Sequence, residues 1–88
     1  MKQEIFSKVT LENKTEAFII EGKGLHFFNA MNNCKGNTAL LFKYLIMELV
    51  FIRDKKITEK ELNNMHMKDV SYLTEVIGLM MSNDYKNI

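Results

Sequence analysis

The chain contains no proline, no tryptophan, four glycines and one cysteine in 88 residues. With so few breakers there is no flexible linker, no proline-rich spacer and no low-complexity tract. The single Cys34 cannot close an intramolecular disulfide and suits a reducing interior. Charge of one sign is also missing: 12 Lys and Arg stand against 11 Asp and Glu, scattered along the chain, for a net +1. Such a balance creates no field that favours a polyanion. The opening "MKQEIFSKV" has neither the apolar core nor the small-residue cleavage site of a secretion signal. The expected setting is therefore the cytoplasm. No apolar run reaches the roughly 20 residues that span a bilayer, so no membrane partner is expected.

What the chain does have is apolar material, at 47% of its residues. A chain this short buries only about 60% of its unfolded surface. More apolar surface is present than a small monomer easily hides.

In "QEIFSKVTL", Ile5, Val9 and Leu11 share one face of a strand, while Glu4, Lys8 and Thr10 share the other. The polar "ENKT" comes next, and "EAFIIEG" forms a second strand with Phe18 and Ile20 on one face. Together they predict a hairpin, which is marginal in water unless it lies on helices or pairs with another chain. Gly22 and Gly24 bracket a break. "LHFFNAMNNC" then carries Phe27, Met31 and Cys34 at helical spacing with Leu25 and Phe28 on the flank, and Gly36 supplies the stop. Asn37 or Thr38 can cap the next helix.

"TALLFKYLIMELVFIR" predicts that next helix, the central one. Only Lys43 and Glu48 interrupt the run from Ala39 to Ile52. They lie roughly 140° apart around the axis, so they do not make one solvated face, and the helix must be surrounded. In "DKKITEKELNNMHMKDV" Thr58 and Glu61 form a capping box, with Ile57 and Leu62 as its hydrophobic staple. This short helix ends near Asn64 or Met65. Asp69 then opens the last helix, where the dipole favours a negative charge. Val70, Leu73, Ile77 and Met80 make its apolar stripe, widened by Val76 and Met81; Ser71, Thr74, Glu75, Gly78 and Ser82 lie opposite. The expected fold is α+β and mostly α. It is one domain, with a two-stranded hairpin over residues 1–23, a body of three to four helices packed around the central apolar helix over 24–83, and a frayed tail over 84–88.

Residues for chemistry are sparse. His26, Cys34 and His66 are the candidate metal ligands, but no CxxC, HxxxH or HExxH spacing links them. A Cys–His nucleophilic pair through Cys34 is formally possible; a lone Cys more often packs as a small hydrophobe. His26 is expected to pack or cap at a helix start, and His66 to be solvated in a turn. "EGKG" is too short for a phosphate-cradling loop. The expectation is no catalytic, cofactor or metal site. A helix-turn-helix is weighed on the last two helices, but the final one offers Lys68 alone before Glu75, which leaves no basic reading face. Met47, Met65, Met67, Met80 and Met81 cluster in the C-terminal half. They fill core gaps, or they form an adaptable apolar surface for helical segments; both uses remain open.

"FFNAMNNCKGN", then the apolar helix, then "IRDKKITEKELNNMHMKDVSYLTEVI" is similar to the short tail assembly chaperones of contractile-tailed bacteriophages and prophages. The likeness covers about residues 25 to 81 and rests on Asp54, Ile57, Thr58, Glu61, Leu62, Met65, Asp69, Val70 and Leu73. It departs from that pattern in reading Asp54–Lys55 where the family usually has Asp-Gly, and in lacking a proline near the hairpin. The resemblance implies a non-enzymatic protein that binds the helical tape measure protein, keeps its apolar segments soluble and in some cases recruits tail tube subunits. It also implies, for many members, a longer form made by ribosomal frameshifting. Two other classes remain: a small structural homo-oligomer subunit, and a small nucleic-acid-binding regulator.

Because one neighbour cannot cover the central helix, an apolar strip drawn from Leu41, Leu45, Leu49, Phe51, Met80 and Met81 is expected to stay exposed. That strip would bind the partner, and in isolation it would make a homo-oligomer, most simply a two-fold dimer.

Overall fold

The computed structural model describes residues 3–82. The expected tail at 84–88, like Met1 and Lys2, lies outside them. The hairpin forms from β1 (Ile5–Thr10) and β2 (Glu16–Ile20), paired antiparallel. Its turn is held by Leu11 N donating to Thr15 O at 2.8 Å and by the Asn13 side chain accepting from Thr15 N at 3.0 Å, with Lys14 left-handed at φ 73°.

Helix α1 (Gly24–Cys34) stops where Lys35 and Gly36 turn left-handed, at φ 50° and 83°. Asn37 accepts from Ala39 N at 3.2 Å and so caps a single 3-10 turn, Thr38–Leu40, that feeds α2 (Leu41–Leu49). After α2 come two short strands, β3 (Val50–Ile52) and β4 (Lys55–Lys56). The chain closes with α3 (Glu59–Asn63) and α4 (Met67–Met81).

The fold is α+β, with an N-terminal hairpin followed by helices. Two strands, β3 and β4, differ from the expectation. The central helix does not run to Ile52 but ends at Leu49, and residues 50–52 form a strand. Val-Phe-Ile is β-branched and aromatic, suited to a pleated surface. Arg53 and Asp54, at φ 53° and 63°, then reverse the chain in the two-residue geometry that matches strand twist. The result is a four-stranded antiparallel sheet in the order β1-β2-β3-β4.

Register places Val9, Ala17 and Ile52 in one row, and Ile19 beside Val50 two residues along on the same face. All five are buried, at 0–7% exposure. They share one core with Leu45, Ile46 and Leu49 of α2 and Leu73 and Ile77 of α4. The switch from helix to strand also resolves how a run apolar on all sides is covered. A nine-residue helix presents one face inward, and a central strand has neighbours on both edges.

Candidate partner-binding site

The segment that shapes the site begins at the predicted cap. Thr58 Oγ1 accepts from Glu61 N at 3.1 Å, and Glu61 Oε1 accepts from Thr58 N at 2.9 Å. Ile57 and Leu62 are buried at 3% and 5%, forming the staple beneath. The Thr58 backbone N–H, then its hydroxyl, and more weakly Arg53 hold the Glu61 carboxyl below the usual glutamate range. A lowered carboxylate contributes stability that is present above the ordinary glutamate range and lost as pH falls through the lowered value. Thr58→Ala should therefore cost about 1 kcal/mol near neutral pH. In urea titrations at several pH values, that penalty should shrink in part on acidification, because protonation of Glu61 weakens the bond from the Thr58 hydroxyl in the wild type while the bond from Glu61 N to Thr58 Oγ1 remains.

Asp69 has a second role beyond the helix dipole. It is 8% exposed, and its Oδ1 and Oδ2 accept from Glu12 N at 3.2 and 3.1 Å. One carboxylate thus ties the β1–β2 turn to the first turn of α4. His66 caps the same helix, its Nδ1 accepting from Lys68 N at 3.0 Å. His26 acts in the reverse sense at α1: from the first turn its Nδ1 reaches back to accept from the N–H of the N-cap residue Lys23 at 2.9 Å.

These commitments keep the candidate chemical residues apart. Cys34 is buried, with its Sγ against Met31 O at 3.3 Å. It sits eight residues beyond His26 on α1, about 12 Å along the axis. No group of three His, Cys, Asp or Glu converges as metal ligands among the described residues. A polar cleft of about 270 Å³ is lined in part by Glu12, Arg53, Glu61, His66 and Asp69. Its polar groups already serve the fold: Asp69 holds Glu12, Glu61 holds Thr58 with Arg53 3.5 Å away, and His66 caps α4.

The apolar strip lies elsewhere than expected. Leu45 and Leu49 are 2% exposed, and Phe51 is 8% exposed. The helices cover the first two. Phe51 stands in the middle of the sheet between Phe18 of β2 and Lys56 of β4, so it is no docking residue for the folded chain. Leu41 is half-buried, and Met80 is half-buried with its Sδ accepting from Gly22 N at 3.2 Å. Of the six, Met81 alone is exposed, at 48%.

The open apolar surface is instead a groove of about 530 Å³ between α2, α3 and α4. Phe42 of α2, Met65, and Met67 and Val70 of α4 line it, with the buried Ile46 and Leu62 beneath them at 2% and 5% exposure. Met67 stands at its lip, 85% exposed. The groove's one charged residue is Lys43, whose Nζ lies 2.7 Å from Glu59 Oε2. That bond to Glu59 holds the Lys43 ammonium above the usual lysine range. Asn63 and Ser71 supply neutral hydrogen-bonding groups at the edge, and Thr74 bonds its own helix through Val70 O at 2.8 Å. A second apolar feature is convex: Leu25 and Phe28 of α1 are 68% and 70% exposed, with Met31 at 38%.

The sequence marks Met65 and Met67 among the informative methionines but does not place them in a groove with Phe42 and Ile46. A helical wheel could have suggested it, since Met67, Ser71 and Thr74 share one side of α4. No helix among the described residues is long and apolar enough to cross a membrane. No family model, curated protein or solved structure matches this chain.

Proposed function

We propose that this chain is a non-enzymatic assembly chaperone that holds an apolar helix of a partner in the α2–α3–α4 groove. The observation that carries this is the groove itself: an apolar trough walled by helices, its one ammonium paired, with a flexible methionine left in water at its lip. Amphipathic helices dock in such grooves through anchors at i, i+3, i+4 and i+7. Methionine suits them because an unbranched thioether repacks around varied side chains.

With the resemblance of residues 25 to 81, the specific form is a tail assembly chaperone of a phage or prophage. It would work in the host cytoplasm on the tape measure protein, with the tail tube subunit as a further partner. The groove would receive one apolar stretch of the tape measure at a time and keep it from self-association before the tube closes around it.

Co-expression with tape measure fragments from the same phage or prophage tests this. The wild-type chain should keep a fragment soluble and co-purify with it. Met67→Glu and Ser71→Glu, both on exposed positions, should leave the fold intact and lose the fragment. Retention of fragments by both variants, or no retention by the wild type, would refute the assignment.

A further inference from the structure

Helix α1 is itself the kind of helix the groove fits. From Gly24 to Cys34 it carries no Asp, Glu, Lys or Arg. Leu25, Phe28 and Met31 recur every three residues and form one outward ridge. Phe27 meets the Phe28 ring edge-on at 6.0 Å between centroids and steadies it in the exposed position. Exposed Asn32 and Asn33 add neutral amides on the same helix.

The groove answers each of these features. Its single ammonium is closed by Glu59, so an entering helix meets no unpaired charge, and a charged helix would be desolvated there without compensation. Along α4 the groove is lined by Ser71 and Thr74, and Gly78 follows one turn beyond them on the same side of the helix. A Cβ built at Gly78 would meet nothing within 4 Å, which leaves room for a second helix to approach closely.

We propose that the ridge Leu25–Phe28–Met31 of a second copy docks in the α2–α3–α4 groove, and that two copies do so reciprocally. This self-docked pair shields the groove until a partner helix displaces it. The proposal shares its site with the chaperone assignment but does not require that partner. Size explains why the contact is made twice. A stable interface covers about 800 Å² per partner. A fully buried Phe contributes about 150–250 Å², so one ridge of three side chains falls short alone. Closure about a two-fold axis doubles it and makes the second contact intramolecular.

Sedimentation velocity across a wide concentration range tests this with two variants and their mixture. Phe28→Glu removes the ridge and keeps the groove; Met67→Glu removes the groove lip and keeps the ridge. Both positions are exposed, at 70% and 85%, and circular dichroism should show both variants folded. The wild type should dimerise. Each variant alone should be monomeric where the wild type is paired. Their equimolar mixture should regain a 1:1 pair, held by one contact and about a hundred to ten thousand times weaker than the wild-type dimer. A rescue of this kind requires that ridge and groove meet each other. A monomeric wild type, variants that dimerise as the wild type does, or a mixture that stays monomeric above that range would overturn the proposal. If the wild type is monomeric yet still loses a tape measure fragment on Met67→Glu, self-docking is wrong and the chaperone assignment stands. If the mixture rescues pairing while no fragment binds, the reverse holds.

Discussion

Ile77→Ala should cost about 2–5 kcal/mol, the range for truncating a large aliphatic side chain in a packed core. Ile77 is 0% exposed, one turn beyond the equally buried Leu73, and both join the core with Leu45, Ile46, Leu49 and the inward row of the sheet. Stability near 0.05–0.15 kcal/mol per residue gives a domain of this length about 4–13 kcal/mol in total. The truncation therefore removes a large fraction of it. Urea unfolding should show a lower midpoint at unchanged slope, and the thermal midpoint should fall by tens of degrees at the upper end of the range, at about 4–8 °C per kcal/mol. A loss under about 1 kcal/mol would mean that α4 is not seated on the core, and the groove it walls would lose its basis.

The second large effect belongs to Asp69. Asp69→Ala removes the acceptor of the Glu12 N–H and the anion in the first turn of α4. A hydrogen bond to a charged group contributes about 1.5–3 kcal/mol. Glu12 is exposed and can turn to water, so the expected loss is toward the lower part of that range. Asp69→Asn keeps an acceptor without the charge and should fall between the wild type and Asp69→Ala. Hydrogen exchange gives the local readout: the Glu12 amide should exchange much faster in Asp69→Ala, while amides of β2 follow only the global change. An unchanged Glu12 amide would show that the turn is held by something else.

Ile77 and Asp69 differ in how legible they are in the sequence. Ile77 falls on the apolar stripe of the last helix because its neighbours repeat at helical spacing, and burial follows from that pattern. Asp69 falls in the first turn by the same local logic. Its bond to Glu12 is not visible, because the two residues are 57 apart in sequence and meet only through the tertiary fold. The cap at Thr58 and Glu61, with Ile57 and Leu62, is local chemistry within six residues and is fully readable.

The helix-to-strand switch at Leu49 is not. Val50, Phe51 and Ile52 extend an apolar run without a glycine, proline or polar break, and periodicity alone does not separate a buried helix from a buried strand. The turn after them uses Arg53 and Asp54 in left-handed conformations, where Asn-Gly would have announced a hairpin. The switch takes Phe51 of the expected docking strip into the sheet, while Leu45 and Leu49, helical as expected, are taken by the core. The surplus of apolar surface is still a sound inference from composition. Its location on α1 and in the α2–α3–α4 groove depends on which methionines the fold covers: Met80 is half-buried under Gly22, while Met67 stands in water.

Methionine methyl groups give the most direct test of the central claim that the groove holds a helix. The chain has seven methionines, which ¹³C-methyl labelling would report individually. Titration with a helical peptide carrying Leu at i, i+3, i+4 and i+7 and Gln or Ser elsewhere should shift the Met65 and Met67 methyls in a saturable manner. The Met80 methyl beside Gly22 should stay still, and Met67→Glu should abolish the Met65 response. Saturable shifts confined to other methionines, or no shifts up to millimolar peptide, would contradict the groove as the working surface of this protein.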